Sequence, residues 1–146
     1  HANPNFFHEN IRNKSETVLR ALGQSGGMLG FSLYPLHIGG AGRSPEDFTA
    51  MAVRTAELMG VEHIGIGTDS VRGWPDSVLE WMRSGRWTWS KATPHWPEWP
   101  GWFKSPADFA NLTAALLERG FSRQDVARIM GDNWLNFFDS GLKVAP

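Results

Sequence analysis

The sequence predicts an α/β fold built on a parallel sheet, and three observations carry that reading. A strand, a helix of about four turns and a second strand follow one another between residues 28 and 69, and such a crossover joins parallel strands. A helical stretch precedes the first strand, so the repeat is strand, loop and helix at about 30 residues per unit, as in a (β/α) barrel or an open doubly wound sheet. Two strands alone lack the edge neighbours and covering helices that a parallel sheet requires. A complete barrel takes about 250 residues, against 146 here. Residues 1–146 are therefore expected to be the C-terminal part of one larger barrel domain, with about two to three strands and their helices.

Taken in order, His1-Ala2-Asn3-Pro4 opens the chain abruptly. Ser15 is placed to cap a helix carrying Val18, Leu19 and Leu22 on one stripe, which Gly26-Gly27 ends. Met28 to Leu33 reads as a strand stopped by Tyr34-Pro35. Ser44-Pro45-Glu46-Asp47 combines a cap residue, a proline at the first helical position and acids in the first turn. Phe48, Met51, Ala52, Thr55, Ala56 and Met59 then recur at helical steps up to Gly60.

Glu62 to Asp69 is the second strand. Its side chains alternate between faces, so His63, Gly65, Gly67 and Asp69 share one face, with Ile64 and Ile66 on the other. The isoleucines suit packing under helices. The glycines are expected to leave room on the face that ends in Asp69. A carboxylate at the C-terminal end of a parallel strand lies where barrel enzymes keep their chemistry, although a strand-end Asp also serves as a simple turn cap.

Beyond it, Asp76 to Arg83 predicts a short helix with Val78, Leu79 and Met82 on one side. Six of the eight tryptophans fall between Trp81 and Trp102, and a Trp- and Pro-rich insert spans about 84–104. Its prolines suggest a stiff aromatic loop that forms its own small core or roofs a site. Ser105-Pro106-Ala107-Asp108 repeats the helix-start signature, Ser122 and Asp125 open another helix in near capping-box form, and Asp132 to Phe138 predicts a last one packing Trp134, Leu135 and Phe138. A strand followed by a terminal helix cluster suits the closing end of a barrel.

Composition narrows the function classes. Net charge is −1 with both signs dispersed, which argues against nucleic acid or an anionic membrane as partner. No apolar run approaches the roughly 20 residues of a membrane span. The absence of cysteine excludes disulfides and thiolate metal sites. The compartment stays open, with the cytoplasm favoured.

Four stretches, in order, resemble the C-terminal part of the renal-type membrane dipeptidases, a family of zinc dipeptidases. His1-Ala2-Asn3-Pro4 is similar to the segment after the sixth strand of that barrel. Arg12-Asn13-Lys14-Ser15 with Gly26-Gly27-Met28-Leu29-Gly30-Phe31 is similar to its Arg-Asn-x-Ser helix start and Gly-Gly strand. Gly65-Ile66-Gly67-Thr68-Asp69 resembles its Gly-x-Gly-Ser/Gly-Asp strand end, and Gly131-Asp132-Asn133-Trp134-Leu135 its Gly-x-Asn-x-Leu closing helix. The resemblance covers nearly the whole chain apart from the Trp-rich insert.

What the resemblance implies is a (β/α)8 barrel with two zinc ions at its C-terminal mouth, where a bridging water attacks the peptide bond of a dipeptide. By position, His1 would bind the second zinc, Arg12 the substrate carboxylate, and Asp69 would handle the proton of the water and the substrate amine. The remaining metal ligands would lie upstream of His1, so the isolated chain is expected to be inactive. The resemblance suggests a bacterial branch and admits a homodimer.

Chemistry supports those roles. Zinc takes neutral imidazole readily, and the planar fork of Arg matches a free carboxylate in a way Lys does not. Tyr34, at the end of the preceding strand, is a candidate substrate contact or a plain rim residue. His63 is expected to be structural, because six residues at about 3.3 Å each put it near the far end of the strand. His8, His37 and His95 have no ligand-like spacing. Asp69-Ser70-Val71-Arg72-Gly73 departs from the family's Asp-Phe-Asp-Gly by losing an acid and gaining a cation, which bears on substrate choice. Two rivals remain: a related metal-dependent amidase or lactonase acting on a non-peptide substrate, and a metal-free protein that binds ligands through the Trp-rich loop.

Overall fold

The computed structural model describes residues 1–71, 73–82, 84 and 95–142. Residues 85–94, which include Trp87 and Trp89 of the insert, lie outside the described residues, as do Arg72 and Arg83.

Two strands, β1 (Leu29–Phe31) and β2 (Ile64–Ile66), pair in parallel with Leu29 opposite Ile64, Gly30 opposite Gly65 and Phe31 opposite Ile66. Both are shorter than the apolar runs suggested. Residues 61–63 form a 3-10 turn, so His63 precedes the strand; its Nδ1 lies 3.1 Å from the Gly27 carbonyl, a structural contact. Beyond the paired residues, Gly67 N–H still donates to Phe31 O, and Leu33 N–H to Thr68 O at 3.1 Å.

Helix α1 (Glu16–Gln24) is capped by Ser15, as its sequence predicts. Leu19 is fully buried and Leu22 partly so, whereas Val18 is exposed, so the apolar stripe is narrower than expected. The single turn α2 (Pro35–Ile38) follows β1. Helix α3 (Pro45–Met59) is the crossover. Ser44 and Asp47 form a reciprocal capping box, and Gly60 closes the helix with φ +92°, a conformation other residues resist. Phe48, Met51, Ala52, Thr55 and Met59 all point into the core, and α3 lies against α1 and β2.

After β2 come α4 (Asp76–Met82), with Leu79 buried, α5 (Phe109–Glu118), α6 (Arg123–Ala127) and α7 (Asn133–Leu142). A π-helical turn over Arg128–Asp132 joins α6 to α7, so the expected separate closing helix is a continuation. Such a turn re-aims the side chains that follow it. Asn133 reaches back to the Val61 and Ile64 carbonyls at 2.7 and 2.8 Å, which ties the chain end to the base of β2. Leu135 is exposed, and Phe138, though half-exposed, stacks on the Trp134 ring with centroids 5.8 Å apart.

The core fills the face of the sheet that carries Leu29, Phe31 and Ile64, with Phe48, Phe103, Leu112, Leu116 and Ile129 behind it. The opposite face corrects the reading of the glycines. A Cβ on Gly65 would stand 2.5 Å from the Trp134 indole nitrogen, one on Gly30 3.0 Å from the same ring, and one on Gly67 3.3 Å from the Gly30 backbone. The room belongs to Trp134, whose Nε1 donates to Ile66 O at 3.1 Å. Asp69 reaches the end of this face because the chain leaves the sheet there.

Candidate active site

The site stands at the C-terminal ends of β1 and β2. Asp69 follows β2 and adopts φ +56°, the only left-handed non-glycine residue among those described. Asp tolerates this region better than most side chains, and outliers of this kind concentrate at functional sites.

His1 is brought to Asp69 by backbone pairing. Ala2 N–H donates to Gly30 O at 3.0 Å, which lays the first residues along β1. Asn3, fully buried, then locks them. Its Oδ1 accepts from Ser32 N–H at 3.1 Å, and its Nδ2 donates to the carbonyls of Ser32 and His37. Asn13 accepts from Asn3 N–H at 2.8 Å and donates to the His8 and His37 carbonyls. The result puts His1 Nε2 3.8 Å from Asp69 Oδ2. That exceeds hydrogen-bond range, so neither group consumes the other.

The structure also brings in His37, which has no ligand-like spacing in the sequence. It is buried, stacks nearly parallel to His1 with ring centroids 6.2 Å apart, and lies 5.1 Å from the Tyr34 ring. Ser32 Oγ accepts from Tyr34 N–H at 3.1 Å and lies 2.8 Å from His37 Nδ1. Burial holds His37 below the ordinary histidine value; nearby Asp69 opposes that shift, while Arg12 and His8 add to it. The only sequence signal for His37 was its place one helical turn beyond Tyr34 (both follow a strand end), and nothing local reveals that Asn3 and Asn13 hold its carbonyl.

Arg12, Tyr34, His37 and Asp69 line one open cleft of about 750 Å³, and Ile11, Leu36, Trp74 and Trp96 form much of its apolar side. Three of the four residues singled out in the sequence thus face one cavity, and His1 touches it through Asp69 and His37. Of the insert, Trp96 enters this cleft, whereas Trp99 and Trp102 pack against the main core. His8 and His95 stand apart from the group: a Cβ on Gly39 would touch the His8 ring, and His95 pairs with Asp76.

A metal finds part of a donor set here. An imidazole nitrogen and a carboxylate, both partly exposed, are ligand types that zinc accepts. Among the described residues, no group of three His, Asp or Glu side chains is placed to hold an ion. Among them, too, no helix is long and apolar enough to cross a membrane.

No family model and no curated protein matches the sequence. Solved structures do match the fold. An amidohydrolase from Pseudomonas aeruginosa superposes with a TM-score of 0.82 at 27% identity, over 94% of this chain and 43% of that one. A dipeptidase described as a metallo peptidase of family M19 gives 0.70 at 17% identity, over 95% of this chain and 36% of its own. A metallo peptidase from Rhodobacter sphaeroides, liganded with a phosphinate mimic of the dipeptide L-Ala-D-Ala, gives 0.71 at 16%, over 95% and 34%. The chain thus spans less than half the length of each of these proteins. In sequence motifs and in structure it is similar to the renal-type membrane dipeptidases, and its fold is a portion of a TIM-type (β/α)8 barrel like that of these neighbours.

Proposed function

We propose that residues 1–146 form one side of the catalytic mouth of a metal-dependent hydrolase that cleaves dipeptides, with zinc as its metal. The observation that carries this reading is the convergence of His1, Arg12 and Asp69 at the C-terminal ends of two parallel strands, with Asp69 held in a left-handed conformation. The likeness in fold to metallopeptidases and an amidohydrolase supports it.

In this scheme His1 supplies an imidazole ligand, and the rest of the donor set comes from barrel segments outside this chain. Zinc, when bound, supplies Lewis-acid polarisation of the scissile carbonyl. Asp69 takes a proton from the attacking water and orients the substrate amine. Arg12 clamps the free carboxylate, which measures the distance from the chain end to the scissile bond. Tyr34 forms the rim beside His37.

The test is made on the intact protein. Asp69→Asn lowers turnover by about 100-fold or more, as expected for loss of a general base, with bound zinc retained. Arg12→Ala weakens dipeptides far more than their C-terminal amides. Equal effects on acid and amide would remove the clamp, and an unchanged rate for Asp69→Asn would remove Asp69 from the chemistry. The likeness to an amidohydrolase favours a second reading, hydrolysis of a non-peptide amide. Profiling N-acyl amines and lactones against dipeptides separates the two.

A further inference from the structure

The apolar side of the cleft is held in place at Trp96. Trp74 and Leu36 face the same cavity as Arg12 and Asp69. Trp96 meets Trp74 edge to face at 6.4 Å. It is pinned at its backbone, because Trp96 N–H donates to Asp76 Oδ1 at 3.2 Å while His95 Nδ1 lies 2.6 Å from Asp76 Oδ2. One carboxylate therefore staples the aromatic segment to the start of α4. Apolar rings beside a few convergent polar groups are the make-up of a ligand pocket.

We infer that the cleft selects substrates that combine a free carboxylate with a large apolar or aromatic side chain, which Trp74 and Trp96 receive while Arg12 holds the carboxylate. The guanidinium makes the pocket complementary to an anion at one point, and the indoles make it apolar beside that point. A small polar dipeptide leaves the indoles in water. An aromatic one covers them, and pockets of this kind discriminate by about tenfold or more when a large apolar group is added. This inference rests on the hydrolase reading above for its substrate chemistry, though the pocket itself is independent of it.

The experiment compares Ala-Ala, Ala-Phe and Phe-Ala in the intact protein, together with binding of 3-phenylpropionate and propionate followed by tryptophan fluorescence. The expected result is a kcat/KM at least about tenfold higher for a Phe-containing dipeptide than for Ala-Ala. Trp96→Ala and Trp74→Ala each lower that ratio by about tenfold, while Trp96→Phe, which keeps an aromatic face, preserves it. A parent enzyme without the preference, or variants that leave the ratio unmoved, overturns the inference: the indoles are then covered by the remainder of the barrel. If no dipeptide is cleaved, the fluorescence arm decides. Tighter binding of phenylpropionate that Trp96→Ala abolishes keeps the pocket and discards the dipeptidase reading, and equal binding of the two acids discards the pocket.

Discussion

His1 Nε2 stands 3.8 Å from Asp69 Oδ2, although the two residues belong to separate strand-to-helix units. The contact is produced by backbone: Ala2 bonds to Gly30, Gly30 pairs with Gly65, and Asp69 leaves the same strand two residues beyond Gly67. Successive parallel strands in register deliver their C-terminal side chains to one place. That geometry makes a shared site cheap to build and sensitive to whatever holds the first residues down.

Asn3 is the chief of those supports. Asn3→Ala removes partners from the Ser32 N–H and from the Ser32 and His37 carbonyls in a fully buried setting. The expected loss is about 1–3 kcal/mol, read as a lower denaturant midpoint, with zinc affinity falling too if His1 is a ligand. An unchanged midpoint would mean that water replaces the amide.

Gly65→Ala drives a methyl into the Trp134 ring, whose Nε1, Cδ1 and Cε2 lie 2.5–3.1 Å from the added carbon. Overpacking of this kind costs about 1–3 kcal/mol. Trp134→Leu in the same chain should recover part of the loss, so the double variant is more stable than the sum of the two single losses. Additive losses in thermal melts would show that the indole moves aside freely.

Asp69 carries both a conformation and a charge. Asp69→Asn keeps the left-handed backbone accessible and should leave stability nearly unchanged while turnover falls. Asp69→Val must strain the backbone by about 1–2 kcal/mol, and should lower the melting temperature as well. If the two variants melt together, the φ of +56° is not maintained by the fold.

His37 sets a pH dependence. Its pKa is depressed in the folded chain, mainly by burial, so the unfolded chain takes up a proton first as pH falls below about 6.5. The neutral ring's contribution is fully present above that value and is lost as pH drops toward and through the folded pKa. His37→Gln should flatten the stability profile in this window, measured by urea titration from pH 7.5 to 5. An unaltered slope would assign the dependence elsewhere.

Residues 1–146 alone, supplied with zinc, should show no turnover, since no three donors converge among the described residues. Robust hydrolysis by the segment would end the assignment of the missing ligands to the rest of the barrel.

The sequence by itself determined the class of fold and most of its elements, because those rest on local physics. Ser15, Ser44 and Ser122 cap helices where their side chains reach the first free N–H groups, Gly60 ends α3 where φ turns positive, and the stripe from Phe48 to Met59 is buried as its period requires. Asp69 and Tyr34 can be singled out because they follow strand ends, whereas His1 and Arg12 stand out only through the family resemblance. Three things were decided only in three dimensions. The glycine face filled with Trp134, because a π-turn far down the chain re-aims that residue. His37 joined the site through the carbonyl contacts of Asn3 and Asn13. The tryptophans divided between core and cleft according to a carboxylate on α4. Periodicity and caps act over a turn or two and can be read from neighbours; burial and hydrogen-bond partners come from residues distant in sequence, and only the folded chain brings them together.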